Sequence, residues 1–576
     1  MDTTAGSSAS APRRRFTPRA RLLTIISVGA LVLAIIRFAP LPFDNANRFL
    51  ATEICSLLIG VVLLVWCLQF VFTTRRLRTL VIGTVLLVIV GLIASFRLDF
   101  GGDMQQRLEP RLWVRRVSAQ LGIGRALVIH EAKLATNALA IEPTPDDSPS
   151  FFGPTRDGIY AEHHGKLARD WTAKPPKELW RKKIGEGCSS FVIVGKYGFT
   201  QEQTDDLSAE LVTCYDLTDG SQLWVHADAP GHDWVLGGLG PRATPTFHNG
   251  KLYAIGSAGL FNCFDAATGK VLWKHDLAKY HRGEPPMWGR SSSPLVVATK
   301  THGDVVVVSV GGDEKHSLVA YNAKDGREIW HDGEDPTGYA TPQLVTLGGV
   351  PQIVIVNFQT VAGHDLETGA VLWKYDAWNT TQPKVPQVIA VDENRLFISA
   401  GYTVGCRLLE IVRSGPSAAG PVDGNKEDKK SVKPDLPLHP PATAVGETKW
   451  DVKELWKATS LKPKFMNPIK RGEFVYGIDD GAFLMCIALA DGKVKWRSNR
   501  GADYGHGQVI MVDDLLIVQA ETGDVALVEA DSKKFNELGR FSGLPEGRSW
   551  NVPVLWGDKL LLRNNKEVAC YQLPME

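Results

Sequence analysis

Nine residues stand at breaks in an otherwise regular pattern and carry side chains able to act on a ligand: Arg242, Trp288, Arg290, Tyr339, Lys464, Asn467, His506, Trp550 and Arg563. Guanidinium, ammonium and imidazole groups beside indole and phenol rings would make a cationic recess with aromatic walls. Such a recess suits an anionic small molecule, such as a quinone carboxylate, or a peptide carboxylate, because Arg engages carboxylates through paired N–H donors. The competing reading is a polar plug whose members satisfy one another. Asp233, Asp313 and Asp503 are the acids expected near the same mouth, and none is assigned a catalytic role. His163, His164 and His281 read as surface-loop residues, with no metal-ligand spacing around them. The eight cysteines include no Cys-x-x-Cys pair and read as small buried hydrophobes. No catalytic residue and no metal site is expected.

What positions the nine is a repeat. A residue pair ending in Asp or Asn is followed, two residues on, by a turn dipeptide ending in Gly, and then by an apolar-Trp pair. Copies run Tyr215-Asp216 to Trp224, Phe264-Asp265 to Trp273, Tyr321-Asn322 to Trp330 and His364-Asp365 to Trp373. A weaker copy ends at Trp496. The turn Gly supplies the left-handed residue that a tight hairpin requires. The Trp then falls early on the next strand, where its ring can fill the gap between units. Trp180 and Trp456 keep the phase but lack the turn, and Leu538 stands in an eighth marker position.

Successive markers lie 40–57 residues apart, except for one interval of 83 that contains the Pro-, Gly- and Lys-rich stretch 414–449. That stretch reads as a disordered surface insertion. Without it every interval matches one four-stranded propeller blade. Each interval opens on a short motif ending in Pro, such as Arg242-Ala-Thr-Pro245, Ser291-Ser-Ser-Pro294 or Tyr339-Ala-Thr-Pro342. Proline is tolerated at a strand start, which suits an innermost strand lining a channel. The C-terminal tail supplies three strands of a last blade, and the orphan Glu178-Leu-Trp180 strand can supply its fourth. The expectation is an all-β, eight-bladed propeller over 151–576 closed by its own two ends, with seven blades as the alternative.

These residues resemble the quinoprotein (PQQ-type) β-propeller repeat, shared by PQQ-dependent alcohol dehydrogenases and the non-enzymatic BamB-like propeller of outer-membrane protein assembly. Phe152-Gly-Pro-Thr-Arg-Asp-Gly-Ile159, Gly240-Pro-Arg-Ala-Thr-Pro245, Trp288-Gly289, Ser293-Pro294 and Leu562-Arg-Asn564 are similar to PQQ-binding-like β-propeller repeat proteins of planctomycete type. Arg97-Leu-Asp99, Gly102-Asp103 and Pro110-Arg111 look like their juxtamembrane stretch, so the likeness covers 97–576. Dehydrogenase kinship would imply PQQ and calcium as cofactors. The vicinal cysteines and the Glu/Asn/Asp calcium signature that accompany them are absent here. The lipidation motif of the assembly propeller is absent too, since Cys55 sits inside an apolar run.

Three apolar runs, 22–39, 49–72 and 80–96, precede the repeat, and each is near or above the length that crosses a hydrocarbon core. They predict three transmembrane helices over 22–96. The basic tail 1–21 holds Arg13, Arg14, Arg15, Arg19 and Arg21, and the second loop holds Arg75, Arg76 and Arg78. Both are therefore expected in the cytoplasm, with the propeller on the extracytoplasmic, periplasmic side of a bacterial inner membrane. Residues 97–150 read as a connector, partly helical over 112–140 and ending in a stiff polar linker at 142–150.

The 576 residues carry a net charge of +1 with 44% hydrophobic and 22% charged residues. That balance argues against nucleic acid as a partner and against extensive disorder. The expected function is a membrane-anchored scaffold for another envelope protein or a small anionic ligand. A quinoprotein alcohol or sugar dehydrogenase is the alternative, and a sensor signalling through the helices is a third reading.

Overall fold

The computed structural model describes all residues except 1–16, 39–44, 73, 101–105, 121–131, 161–165, 230–232, 235–236, 283–284, 312–314, 379–381, 415–448, 482 and 500. The expected insertion thus falls almost wholly outside the described residues, as do Asp313, His163 and His164 and the side chain of Asp233. The chain forms two compact units, 1–127 and 128–576.

The first unit holds helices α1 (Pro18–Phe38), α2 (Asn45–Phe70) and α3 (Arg75–Ser95). Thr74 caps α3 by accepting the Leu77 amide. All three are long and apolar enough to cross a membrane, and no residue of the apolar windows in α2 and α3 is buried within the protein. Leu57 is 70% exposed and Leu87 is 74% exposed, surfaces that only lipid or another apolar partner would cover. After α3 comes a hairpin, Phe96–Phe100 with Gln106–Pro110, and a short helix, Leu112–Gln120. The Trp113 indole donates to the Ala94 carbonyl at 2.8 Å, tying this segment back to the end of α3.

The second unit is an eight-bladed propeller. Blades 1–7 cover 192–228, 246–276, 295–332, 343–375, 389–458, 469–497 and 508–542, each an antiparallel meander ordered from the inner to the outer strand. Blade 8 takes three strands from 554–572 and its outer strand from Lys177–Lys183. Cys570 pairs with Trp180 in this closure, as the orphan strand predicts. The unpaired edge is thereby removed and the ring is latched. A core cluster joining Ile184, Phe191, Ile193, Val554 and Leu561 packs blade 8 against blade 1.

The repeat's chemistry is visible at each blade junction. The Trp of one blade lies on the turn Gly of the next. A Cβ at Gly220, Gly269, Gly326 or Gly492 would stand 2.6–2.8 Å from the rings of Trp180, Trp224, Trp273 and Trp456 respectively. The same glycines have φ between +67° and +75°, where other residues are strained. Trp180, Trp224, Trp456 and Trp496 donate their indole N–H to backbone carbonyls of the following blade at 2.6–3.0 Å. Trp330 lies on Gly369 of blade 4 in the same way. Trp373 faces blade 5, whose hairpin is opened by the insertion, and donates instead to Gln352 of its own blade. Opposite the Trp stands a small or thin residue: Cys214, Cys263, Cys486 and Cys570 pair with Trp224, Trp273, Trp496 and Trp180. All cysteines are free.

The Pro-ended motifs have an equally local reason. Their Ser or Thr side chains accept the backbone N–H at the same position of the preceding blade, Ser190 to Thr244, Thr244 to Ser293 and Ser293 to Thr341, at 2.9–3.1 Å. This run of side-chain-to-backbone bonds across blades 1–4 gives the amides of Ser190, Thr244 and Ser293 their acceptors.

The stretch 133–160, read in part as a polar linker, packs on the propeller. Ser148 bridges Ile193, and the Phe247 amide donates to the Pro149 carbonyl at 2.8 Å. The Arg156 guanidinium donates to the carbonyls of Pro294 (3.1 Å) and Pro342 (3.5 Å), while Gln343 and Gln387 donate to the Arg156 carbonyl. Ile159–Tyr160 adds a parallel inner strand to blade 7. The segment therefore touches blades 1, 2, 3, 4, 5 and 7 around the channel and acts as a cork, with Phe152 and Arg156 in left-handed conformation at φ +66° and +63°.

Candidate functional site

In an antiparallel meander, the links from outer to next inner strand and the middle hairpins share one end of every blade. All nine sequence-selected residues lie at that end. The Trp–Gly contacts lie towards the other, and the two are called here the mouth and the latch end.

The nine do not act as one set. Arg242 donates to the carbonyls of Gly237, Gly238 and Gly240 at 2.6–2.9 Å and holds its own loop. Arg290, 2% exposed, donates to the Val310 carbonyl at 2.7 Å. Arg563, 1% exposed, donates to the Ser189 carbonyl at 2.7 Å and to the Thr200 hydroxyl. Burial holds the three guanidinium pKa values below the usual range, that of Arg290 at about 10. Asn467 accepts the Gln387 amide at 2.8 Å, the same bond between blades 5 and 6 that the opening motifs make across blades 1–4. These four staple the fold, as the competing reading of a satisfied polar filling supposes.

The other five fall in two groups of aromatic contacts, joined through the chain neighbours Lys464 and Phe465. The Trp288 ring lies 5.2 Å from Tyr339 and 6.1 Å from Tyr402. Lys464 Nζ is 5.3 Å from the Tyr402 ring and pairs with Asp480 at 3.2 Å. Its neighbour Phe465 lies 5.4 Å from His506 and 4.5 Å from Trp550. The Arg548 guanidinium stacks on Trp550 at 3.9 Å. Near Gly237, a Cβ would stand 2.8 Å from Arg242 and 3.2 Å from Trp288, so the backbone fills the space between those two side chains. Trp288, Tyr402, Phe465 and Trp550 are half-buried, with Tyr339, Lys464, His506 and Arg548 buried behind them. Below, Lys384 donates its ammonium to the Phe358 carbonyl at 2.6 Å, and burial lowers its pKa to about 8.

Tyr402, Phe465 and Arg548 escape the sequence reading. Tyr402 sits in a middle hairpin with φ +54°. The other two adjoin selected residues, so the signal was an aromatic or cation one or two positions from a blade-opening motif. One further expectation shifts. His281 is buried at 6% exposure, at the end of the helix Leu277–His281. Asp503 lies exposed on the link before blade 7.

A quinone–calcium centre demands six or more oxygen ligands around one point. The carboxylates and the amide oxygen beside these rings are engaged elsewhere. Glu521 accepts from the Trp550 indole (3.0 Å) and the His506 amide (2.9 Å), Asp480 pairs with Lys464, and Asn467 accepts from Gln387. The residues present do not fit such a centre.

The family model described as "Outer membrane protein assembly factor BamB" matches residues 208–416. Among curated proteins no relative of similar sequence is found. Of solved structures, a europium-containing methanol dehydrogenase is 11% identical, with 75% of this chain and 98% of that chain covered and a TM-score of 0.49. BamB from Moraxella catarrhalis is 13% identical, with 69% and 100% covered and a TM-score of 0.44. The quinohemoprotein alcohol dehydrogenase from Comamonas testosteroni is 12% identical, with 75% and 82% covered and a TM-score of 0.48. Residues 208–416 therefore carry a BamB-like, PQQ-type repeat, within a protein that is an eight-bladed propeller preceded in sequence by three helices apolar enough for a membrane.

Proposed function

We propose that this protein is a membrane-anchored binding scaffold whose mouth receives a segment of another envelope protein. The carrying observation is the surface Trp288–Tyr402–Phe465–Trp550. These rings come from links and hairpins of different blades, follow no repeat, and are half-buried around paired charges. Large rings with little rotamer freedom are the usual anchors of protein interfaces. The cations support a peptide partner more than a free anion, because Lys464 is matched by Asp480. The arginine-rich tail and second loop support a propeller held on the extracytoplasmic side of an inner membrane, and the scaffold reading extends to envelope protein assembly.

Two measurements test this. In spheroplasts, protease added outside should degrade the propeller, and intact propeller under conditions that cleave an external control contradicts the placement. The full chain in detergent, titrated with PQQ and calcium, should bind neither stoichiometrically. Saturable binding with alcohol- or sugar-dependent dye reduction would replace the scaffold by an oxidoreductase.

A further inference from the structure

Blade 3 departs from the repeat at one spot on its outer strand. In every blade a bulge skips one residue before the Trp position, which in blade 7 is held by Gly539 while Leu538, expected there, is the skipped residue; the residue before the bulge and the one three later therefore face the same side. In blades 7 and 8 these positions hold Glu537 with Arg540 and Glu178 with Arg181, ion pairs of 3.0 and 2.7 Å. In blade 3 they hold Glu328 and His331, with His331 Nδ1 2.6 Å from Glu328 Oε1. Two more imidazoles gather there. His316, just before the third strand, stacks on His331 with centroids 4.1 Å apart and planes 23° apart. His281 lies 4.5 Å from His316, with Nε2 3.8 Å from Glu328 Oε2 and 2.5 Å from the Tyr321 hydroxyl.

An ion-pair slot accounts for Glu328 with His331. It does not account for three imidazoles in contact, two of them buried: His281 at 6% and His316 at 8% exposure. Imidazole nitrogens beside a carboxylate are the donor set of a borderline divalent ion.

We propose that His316, Glu328 and His331 bind a divalent transition-metal ion of the zinc class. One donor atom from each lies within 4.8 Å of the others. Donors around tetrahedral zinc stand roughly 3.4 Å apart, given zinc–nitrogen bonds of about 2.0–2.1 Å, so small side-chain rotations close the site. Because the His316 and His331 rings are stacked, one of them must turn out of the stack for both lone pairs to meet the ion. Two His and one Glu leave a fourth position for water, as in open zinc sites. His281, bonded to Tyr321 and backing Glu328, is a positioning residue for that carboxylate. The side chains of His331 and Glu328 are 31% and 38% exposed, which gives an ion access from solvent.

The test uses the full chain in detergent, stripped with a chelator and titrated with Zn²⁺ by calorimetry, then loaded with Co²⁺ for absorption spectroscopy. One zinc per chain is expected, with visible cobalt d–d bands. His316→Ala and Glu328→Gln should each weaken zinc at least about tenfold, and His281→Gln about tenfold. Glu178→Gln, in the matching slot of blade 8, should leave zinc binding unchanged. His331→Arg restores the ion pair that blades 7 and 8 use, keeps the fold, and should abolish zinc binding. Absence of saturable zinc in the parent chain, or undiminished binding in His331→Arg, overturns the proposal.

Discussion

At the latch end of the propeller the same parts recur at successive junctions: a Trp ring, a left-handed Gly beneath it and a thin residue opposite. At the mouth end neighbouring blades offer different residues, Tyr339 from one, Tyr402 from the next, then Phe465 and Trp550. The contrast separates two selective pressures on one architecture. A junction repeated around a ring must satisfy the same geometry each time, so its residues repeat. A surface that meets something outside the ring is free of that constraint, and its residues are individual. The staples Arg242, Arg290, Arg563 and Asn467 lie at the mouth end but behave like the latch, since their donors and acceptors end on the protein's own backbone.

The contrast can be broken by substitution. Trp224→Ala removes a fully buried ring and its bond to Ala266, and should cost about 3–5 kcal/mol in chemical denaturation. A loss below about 1 kcal/mol would mean the junctions do not depend on the ring. Gly326→Ala meets both the Trp273 ring and a φ of +75°, and should cost more than about 1 kcal/mol by the same assay. Thr244→Val leaves the Ser190 amide without its acceptor, for about 1–3 kcal/mol. Trp550→Ala, by contrast, loses mainly its ring contacts with Phe465 and Arg548, about 1 kcal/mol of stability. Partner capture from detergent-solubilised membranes should fall with it by at least about tenfold.

The smallest effect sharpens the boundary between the two ends. Lys384 has a folded pKa of about 8 because it is buried, below its unfolded value near 10.4. Between those values the unfolded chain binds more protons, so this group's contribution to stability rises as pH rises from about 8 to about 10.4. The melting temperature relative to Lys384→Met should therefore increase over that window. A flat difference would show that the ammonium under the mouth is solvated.

Legibility in the sequence followed the distance over which a feature is encoded. The Trp–Gly latch spans about ten residues of one hairpin plus a fixed period, so blade number and outer-strand identity were readable. Closure by Lys177–Lys183 was readable because Trp180 kept the repeat's phase without its hairpin. The cork at 148–160 was not, because Arg156 meets Pro294 and Pro342 far along the chain and no local pattern marks that pairing. The mouth was half readable. Position relative to a blade motif placed Trp288, Tyr339, Lys464, His506 and Trp550 at one common end of the blades, but whether a guanidinium turns outward or to a carbonyl depends on loops that only the folded ring defines. His281 was misjudged for the same reason: a short helix folds it under Tyr321.

The central claim is that the mouth, and not the latch end, meets a partner. A photo-reactive amino acid placed at Phe465 on the mouth and at Asp491 on an exposed latch-end turn, in the full chain in native membranes, compares the two directly. The account expects a discrete crosslinked envelope protein from position 465, lost with Trp550→Ala, and none from position 491. Crosslinks from 491 alone, or equal yields from both positions, would contradict it.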